Sequence, residues 1–309
     1  MSVNWFPGHM HATRKAIIER MKLGVDVVIE LLDARLPGSS ENPLLAELTG
    51  AKPALKVLNK QDMADPARTV AWLDHFNARP ETRAIGLDAS EAAPAARLAA
   101  ACRELAPNRG GMAKPLRVLI CGVPNVGKST LINTLVGKKA TKTGDEAGIT
   151  KNEQRISLAS DAYLYDTPGM LWPKILVPKS GYHLAAAGSV GRNAYDEEEV
   201  ALELIETLQP DYAPLLEARY RLQDVASMLS EDVLAGIGRA RGAVQSGGKV
   251  SMQKASEALL NDYRSAALGR VTLETPEGFA AWRAEAEAAQ AEKAQKKAAR
   301  AGTRRPDGR

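Results

Sequence analysis

What this 309-residue sequence has little of narrows it first. It contains no run of about 18 or more apolar residues, so a membrane-spanning helix is not expected. Its start, Met1-Ser2-Val3-Asn4-Trp5-Phe6-Pro7, lacks a basic head followed by an apolar stretch and does not read as a secretory leader. The two cysteines, Cys102 and Cys121, stand alone. That excludes a disulfide framework and a Cys/His zinc cluster, and it favours a cytoplasmic setting. Histidine is scarce as well, so the candidates for proton transfer are only His9, His11, His75 and His183, of which His75, within the helical stretch Pro66–Asn77, is expected on the surface. No internal repeat or sustained heptad is visible, and a monomer is the default expectation.

What remains is ordinary globular composition, 45% hydrophobic and 25% charged, with a net charge of +4. That charge is unevenly placed. From Arg283 to Arg309 there are eight Lys/Arg against four Asp/Glu, which accounts for the whole excess. A basic tail suits an anionic partner there, whereas the rest of the surface is balanced.

Hydrophobic patterning divides the chain. Short aliphatic runs at Val25–Leu32, Ala54–Leu58, Arg83–Leu87, Leu116–Cys121, Arg155–Leu158 and Ala162–Tyr165 alternate with helical stretches such as Pro66–Asn77 and Glu91–Leu105. That alternation predicts an α/β fold with a mostly parallel six-stranded sheet. Beyond about residue 175 the strand signal vanishes. Helical spacing at Glu197–Leu208, Tyr212–Leu222, Glu231–Arg241 and Ser251–Ala267 predicts a small all-helical domain, interrupted at Gln209-Pro210 and Ser246-Gly247-Gly248. The expected domains are 1–175, 176–275 and a basic tail, 276–309, that starts as a surface helix and ends disordered.

Gly122-Val123-Pro124-Asn125-Val126-Gly127-Lys128-Ser129 fits the phosphate-loop pattern GxxxxGK[ST] in full, with a strand before it and a helix from Thr130 to Val136 after it. Its glycines let backbone N–H groups turn toward phosphates, and the helix start adds positive potential. Lys128 is expected on the β- and γ-phosphates and Ser129 on Mg²⁺. The alternative is a Gly-rich turn with a surface lysine. Alone, the loop does not choose between ATP and GTP.

The choice rests on Asn59-Lys60-Gln61-Asp62, directly after a strand. The Asp62 carboxylate can accept from both the ring N–H and the exocyclic amine of guanine, and adenine offers no such pair. The Lys60 stem can lie over the base, and Asn59 can tie this loop to the phosphate loop; the bland alternative is a helix cap by Asp62. Asp88-Ala89-Ser90, after the next strand, stands where a backbone N–H could meet the guanine oxygen. Asp166-Thr167-Pro168-Gly169 supplies an aspartate for the Mg²⁺ shell and a glycine N–H for the γ-phosphate, unless it is merely a turn. Thr150, in Gly148-Ile149-Thr150, could close over Mg²⁺. The base reader lies 63 residues ahead of Gly122, the reverse of the usual order, so the strands are circularly permuted and the last switch leads straight into the helical region.

One expected group is missing. The position after the DxxG glycine, where many GTPases carry a water-orienting glutamine, is Met170. His9 is chemically suited to replace it; a capping or packing role for His9 is the alternative.

Trp5–Met10, Asp33–Pro37, Ser40–Pro43, Asn59–Asp62, Gly122–Thr130, Gly148–Thr150 and Asp166–Gly169 together resemble the YlqF/RbgA group of circularly permuted GTPases. The likeness is specific over about residues 4–175 and looser beyond. It implies GTP hydrolysis during late assembly of the large (50S) ribosomal subunit, with His9 activating water and Met170 as the apolar stand-in for glutamine. It further implies K⁺ held near Asn125, and an rRNA-contacting helical domain; no DNA or membrane partner is implied. Glu146-Ala147 departs from the proline usual before the first switch. Two other readings remain: a GTP-dependent RNA-binding scaffold with negligible turnover, and a small-subunit factor. The second is disfavoured by the missing zinc cluster.

Overall fold

The computed structural model describes residues 8–50, 52–88, 94–111, 113–136, 154–245 and 247–303. In chain order the first half runs α1 (Gly8–Leu23), β1 (Val27–Asp33), α2 (Pro37–Ser40), α3 (Pro43–Thr49), β2 (Ala54–Asn59), α4 (Pro66–Asn77), β3 (Thr82–Gly86), α5 (Pro94–Leu105), β4 (Leu116–Gly122) and α6 (Lys128–Val136). Then come β5 (Gln154–Ala159), β6 (Ala162–Asp166), α7 (Pro178–Ala186), α8 (Glu197–Tyr220), α9 (Ser230–Ala240), α10 (Met252–Arg264) and α11 (Pro276–Thr303).

All seven residues of β1 are buried, as a central parallel strand covered by helices on both faces requires. The sheet order is β3-β2-β1-β4-β6-β5, parallel throughout except for β5, which pairs antiparallel with β6. The expected mostly parallel six-stranded α/β fold is therefore present. Only a residue or two separates the expected strand ends from the observed ones. β1 starts at Val27 and not Val25, because the Asp26 carboxylate is turned aside to accept from the Arg117 N–H at 2.9 Å.

Local chemistry sets the helix ends. Asp65 caps α4 by accepting from the N–H groups of Ala67 and Arg68, with Pro66 pre-set at the first helical position. Asp196 caps α8 and Ser251 caps α10 in the same way. Three helices escaped periodicity. The short α2, α3 and α7 each begin with proline and span nine residues or fewer, too short for a face to repeat.

Two other expectations change. Glu197–Leu208 and Tyr212–Leu222 form one helix, α8, bent at Tyr212 (φ −127°, ψ 16°) with Pro210 and Pro214 inside it. Proline costs helix hydrogen bonds, but the bend keeps the buried Tyr212 face against the protein, and packing outweighs the loss. His75 is half-buried rather than on the surface, its ring edge-on to Trp72 at 5.4 Å. Helix α11 runs on to Thr303; the basic end at 304–309 lies outside the described residues.

The chain does not stay in the helical region once it leaves α10. Residues 270–275 return to the sheet as an extended strap, with Val271, Thr272, Leu273 and Glu274 buried. Phe279 then seats the start of α11 against Gly38 and Trp72.

Candidate functional site

The five parallel strands end on Asp33, Asn59, Gly86, Gly122 and Asp166, so the carboxyl edge of the sheet carries the expected motifs side by side. That edge is where open α/β sheets bind ligands. The permuted order disappears here, since β4 lies between β1 and β6 and brings the two halves of the sequence together.

After β4 the loop needs unusual backbone. Asn125 sits at φ 57° and Gly127 at φ 100°. A Cβ on Gly127 would lie 2.2 Å from Nδ2 of Asn59, so only glycine fits. Helix α6 follows at once, aiming its N-terminus and that of Lys128 and Ser129 toward the loop. Lys128 is buried and its Nζ donates to Oδ1 of Asp166 at 2.5 Å. The second carboxylate oxygen, Oδ2, is buried and has no hydrogen-bond partner. Burial pushes the Asp166 carboxyl up from its ordinary value, against the opposing pull of Lys128. The orphaned carboxylate oxygen of Asp166 and the half-buried Ser129, next in sequence to the Lys128 that bonds Asp166, are oxygen donors of the kind Mg²⁺ takes.

The loop expected to read the base is joined to the loop expected to hold the phosphates. Asn59 Nδ2 donates to the Val126 carbonyl at 2.8 Å, and Lys60 Nζ donates to the Asn125 carbonyl at 2.9 Å and to Asp33 at 2.8 Å. Lys60 has φ 61°, which turns the chain so that Asp62 is exposed at the tip. Behind it lies a buried ion network that sequence reasoning missed. Arg35, about 1% exposed, grips both oxygens of Asp33 and reaches the Tyr263 carbonyl at the end of α10. Burial alone would raise the Asp33 carboxyl, but Arg35 and Lys60 overcome it and hold the group well below the usual carboxylate range. The Asp33-Ala34-Arg35 segment was visible as part of the family pattern; its role required knowing that α10 ends above it.

The second switch is pinned where it leaves β6. A Cβ on Gly169 would be 3.0 Å from Pro124 Cα, so this glycine permits close approach to the phosphate loop. Met170 donates its N–H to the Gly122 carbonyl at 3.1 Å and accepts from Asn42 Nδ2 at 2.8 Å. Its side chain is about 1% exposed, so it points into the core and leaves the position of a water-orienting group unfilled by this residue. After α7 the chain returns, and Asn125 Nδ2 donates to the Gly188 carbonyl at 2.8 Å. A cavity of about 960 Å³ opens between the two regions, lined among others by Lys60, Asn125, Arg192 and Arg264.

The expected site residues fare differently. Asn59, Lys60, Asp62, Gly122, Asn125, Val126, Gly127, Lys128, Ser129, Thr130, Asp166 and Gly169 all lie at or beside the carboxyl edge, with Thr130 exposed on α6. Asp88 is half-buried just past β3, and Ala89 falls outside the described residues. Thr150 also lies outside them. His9 is in the first turn of α1, next to the fully buried Met10, but its side chain lies outside the described residues.

Comparison with known proteins gives a consistent picture. Residues 117–223 match the family described as "50S ribosome-binding GTPase". Ribosome biogenesis GTPase A of Bacillus cereus is 40% identical over 286 residues, covering 90% of this chain and 96% of that protein. Among solved structures, a GDP-bound YlqF superposes with a TM-score of 0.63 at 26% identity, covering 84% of this chain and 99% of that one. A GNP-bound YlqF from T. maritima gives 0.61 at 26% identity, over 85% of this chain and 98% of that one.

Proposed function

The chain belongs to the Ribosome biogenesis GTPase A (YlqF/RbgA) family, and from that premise we propose that it binds precursors of the large ribosomal subunit in its GTP state and leaves them on hydrolysis. It is a GTPase of ribosome biogenesis. The observation that supports the reading is the join between Asn59–Lys60 and the carbonyls of Val126 and Asn125, which ties the segment proposed to read guanine to the segment proposed to cradle the phosphates.

In this reading Asp62 accepts from the guanine edge, aided by the loop Asp88–Ala89, and Gly122 to Thr130 wrap the phosphates. Lys128 exchanges part of its bond to Asp166 for the β- and γ-phosphates. Ser129, Thr150 and Asp166 would hold Mg²⁺, which would supply charge neutralisation at the phosphates. Asn125 would add a K⁺ ligand, and the Gly169 N–H would meet the γ-phosphate. Since Met170 is buried, the water is activated by His9, carried on the anchored first turn of α1. Cytoplasmic placement fits this role; among the described residues no helix is long and apolar enough to cross a membrane.

The proposed domains are a GTPase unit (1–175), a helical rRNA-binding unit (176–275) and a basic tail (276–309), acting as a monomer. Loss of the γ-phosphate would release Gly169 and, through the Met170 contacts, shift α7 and the helices after it. Small-angle scattering that is identical with GTP analogue and GDP would count against that step. The first test is GTP hydrolysis in K⁺ and in Na⁺ buffer, alone, with small subunits and with large subunits. Stimulation by the large subunit alone, dependent on K⁺ and abolished by His9→Ala, is expected. Tight GTP binding without stimulation by either particle would favour a scaffold instead.

A further inference from the structure

We infer that Arg270 is a positioning residue for guanine recognition, holding the turn that carries Asp62. The inference rests on Asp62 reading the base.

Within the turn after β2, the Met63 N–H donates to the Lys60 carbonyl at 3.0 Å and the Ala64 N–H to the Gln61 carbonyl at 3.3 Å. It begins at Lys60 in the left-handed region, a conformation that side-chain-bearing residues enter at a cost and keep only when neighbours fix them. The fixing comes from 206 to 209 residues away in sequence. Arg270 Nη2 donates to the Gln61 carbonyl at 2.8 Å, and its Nε donates to the Ala64 carbonyl at 2.8 Å. The next residue, Val271, donates its N–H to the Met63 carbonyl at 3.1 Å. Two consecutive strap residues thus hold the carbonyls on both sides of Asp62.

The rest of the strap makes this grip rigid. Thr272 Oγ1 donates to the Ala34 carbonyl at 3.0 Å and accepts from the Asp65 N–H at 3.1 Å, and the Leu273 N–H donates to the Arg35 carbonyl at 2.7 Å. Arg270 itself is exposed, unlike Val271 to Glu274, and contributes little to the core. Its guanidinium is a planar fork with two donors spent on two backbone oxygens, which fixes orientation as well as position. Losing it should therefore loosen the turn without unfolding the sheet.

The same bonds give the helical region a second route to the nucleotide, separate from the switch. Arg270 follows the end of α10 by six residues, and that end is tied to Arg35 through the Tyr263 carbonyl. Whatever moves α10 pulls on the guanine reader, and by reciprocity the bound nucleotide biases α10.

The test measures binding of GDP and of inosine diphosphate, which lacks the exocyclic amine that Asp62 would accept from. Arg270→Ala should weaken GDP about ten-fold and inosine diphosphate much less, so the preference between them shrinks. Arg270→Gln, able to keep one of the two bonds, should fall between wild type and Arg270→Ala, with unfolding temperature unchanged in both. Arg283→Ala, on the exposed part of α11, should change neither nucleotide. An unchanged preference in Arg270→Ala, or equal weakening of both nucleotides, overturns the inference. Should Arg270→Ala not fold, Thr272→Val, which removes the hydroxyl bonds in the same strap, takes its place with the same two outcomes. Asp62→Asn separates the two layers. If it leaves the preference intact, base reading by Asp62 is wrong and the inference falls with it; if it abolishes the preference while Arg270→Ala does not, only the inference falls.

Discussion

The two sides of the nucleotide crevice are built to different degrees of completion. On the side proposed to meet guanine, Asn59 and Lys60 bond to the phosphate loop, Lys60 and Arg35 bond to Asp33, and the strap from Arg270 to Glu274 fastens the turn from behind. On the phosphate side, one ion pair joins Lys128 to Asp166 and leaves a buried carboxylate oxygen without a partner. The first arrangement closes on protein atoms alone. The second is a buried charge short of its full coordination, and such a group is costly until a cation or donor arrives. The side proposed to meet the base is thus fixed by bonds within the protein, whereas the phosphate side holds an acceptor that no protein group among the described residues satisfies.

The largest break in that contrast is Lys128→Ala. It leaves Asp166 buried without a countercharge, which costs about 3–5 kcal/mol of stability, and it removes the ammonium expected on the β- and γ-phosphates, so GTP affinity should fall separately, by about 100-fold. Calorimetric titration should show GTP binding lost while the join at Asn59 survives. Arg35→Met attacks the other side. Lys60 remains beside Asp33, so the penalty is smaller, about 3 kcal/mol of stability by denaturant unfolding. It should also loosen α10, seen as faster amide exchange near Tyr263.

Acid separates the two sides with the smallest perturbation. Asp33 titrates below its unfolded value, so the stability it contributes is present above the ordinary carboxylate range and is lost only as pH falls through that range toward the depressed native value. Asp166 titrates above its unfolded value. Between the two values the native protein holds a proton that the unfolded chain does not, so stability rises as pH falls through that window. Mild acidification should then weaken Mg²⁺-supported GTP binding while the Asp33–Arg35 network stays intact. A fold that melts before binding declines would contradict this order.

Sequence made one side far more legible than the other features that support it. The strands announced themselves because a buried parallel strand must be a short apolar run, and the loops because phosphate and guanine contacts demand particular residues at fixed offsets. Gly127 and Asn59 belong to separate motifs, yet the first must be glycine because of the second: a Cβ at 127 would lie 2.2 Å from Asn59 Nδ2. The strap carried no such mark. Arg270-Val271-Thr272-Leu273-Glu274 is short and mixed, and its meaning lies in carbonyls more than 200 residues earlier. The same holds for His183, whose Nδ1 lies 3.3 Å from Glu274, a buried pair that no spacing rule connects. The prolines of α8 misled for the opposite reason, since local propensity pointed to a break that tertiary packing turned into a bend.

The late position of the strap has a consequence for the order in which the protein is made. Synthesis is vectorial, so β3, β2 and β1 leave the exit tunnel first, with one edge of β1 unpaired until Leu116–Gly122 follows. Even then the guanine-reading turn lacks its outer clasp, because Arg270 is translated only after nearly nine-tenths of the chain. A nascent chain can thus acquire its sheet well before the strap that, in the proposed reading, steadies the guanine-contacting turn.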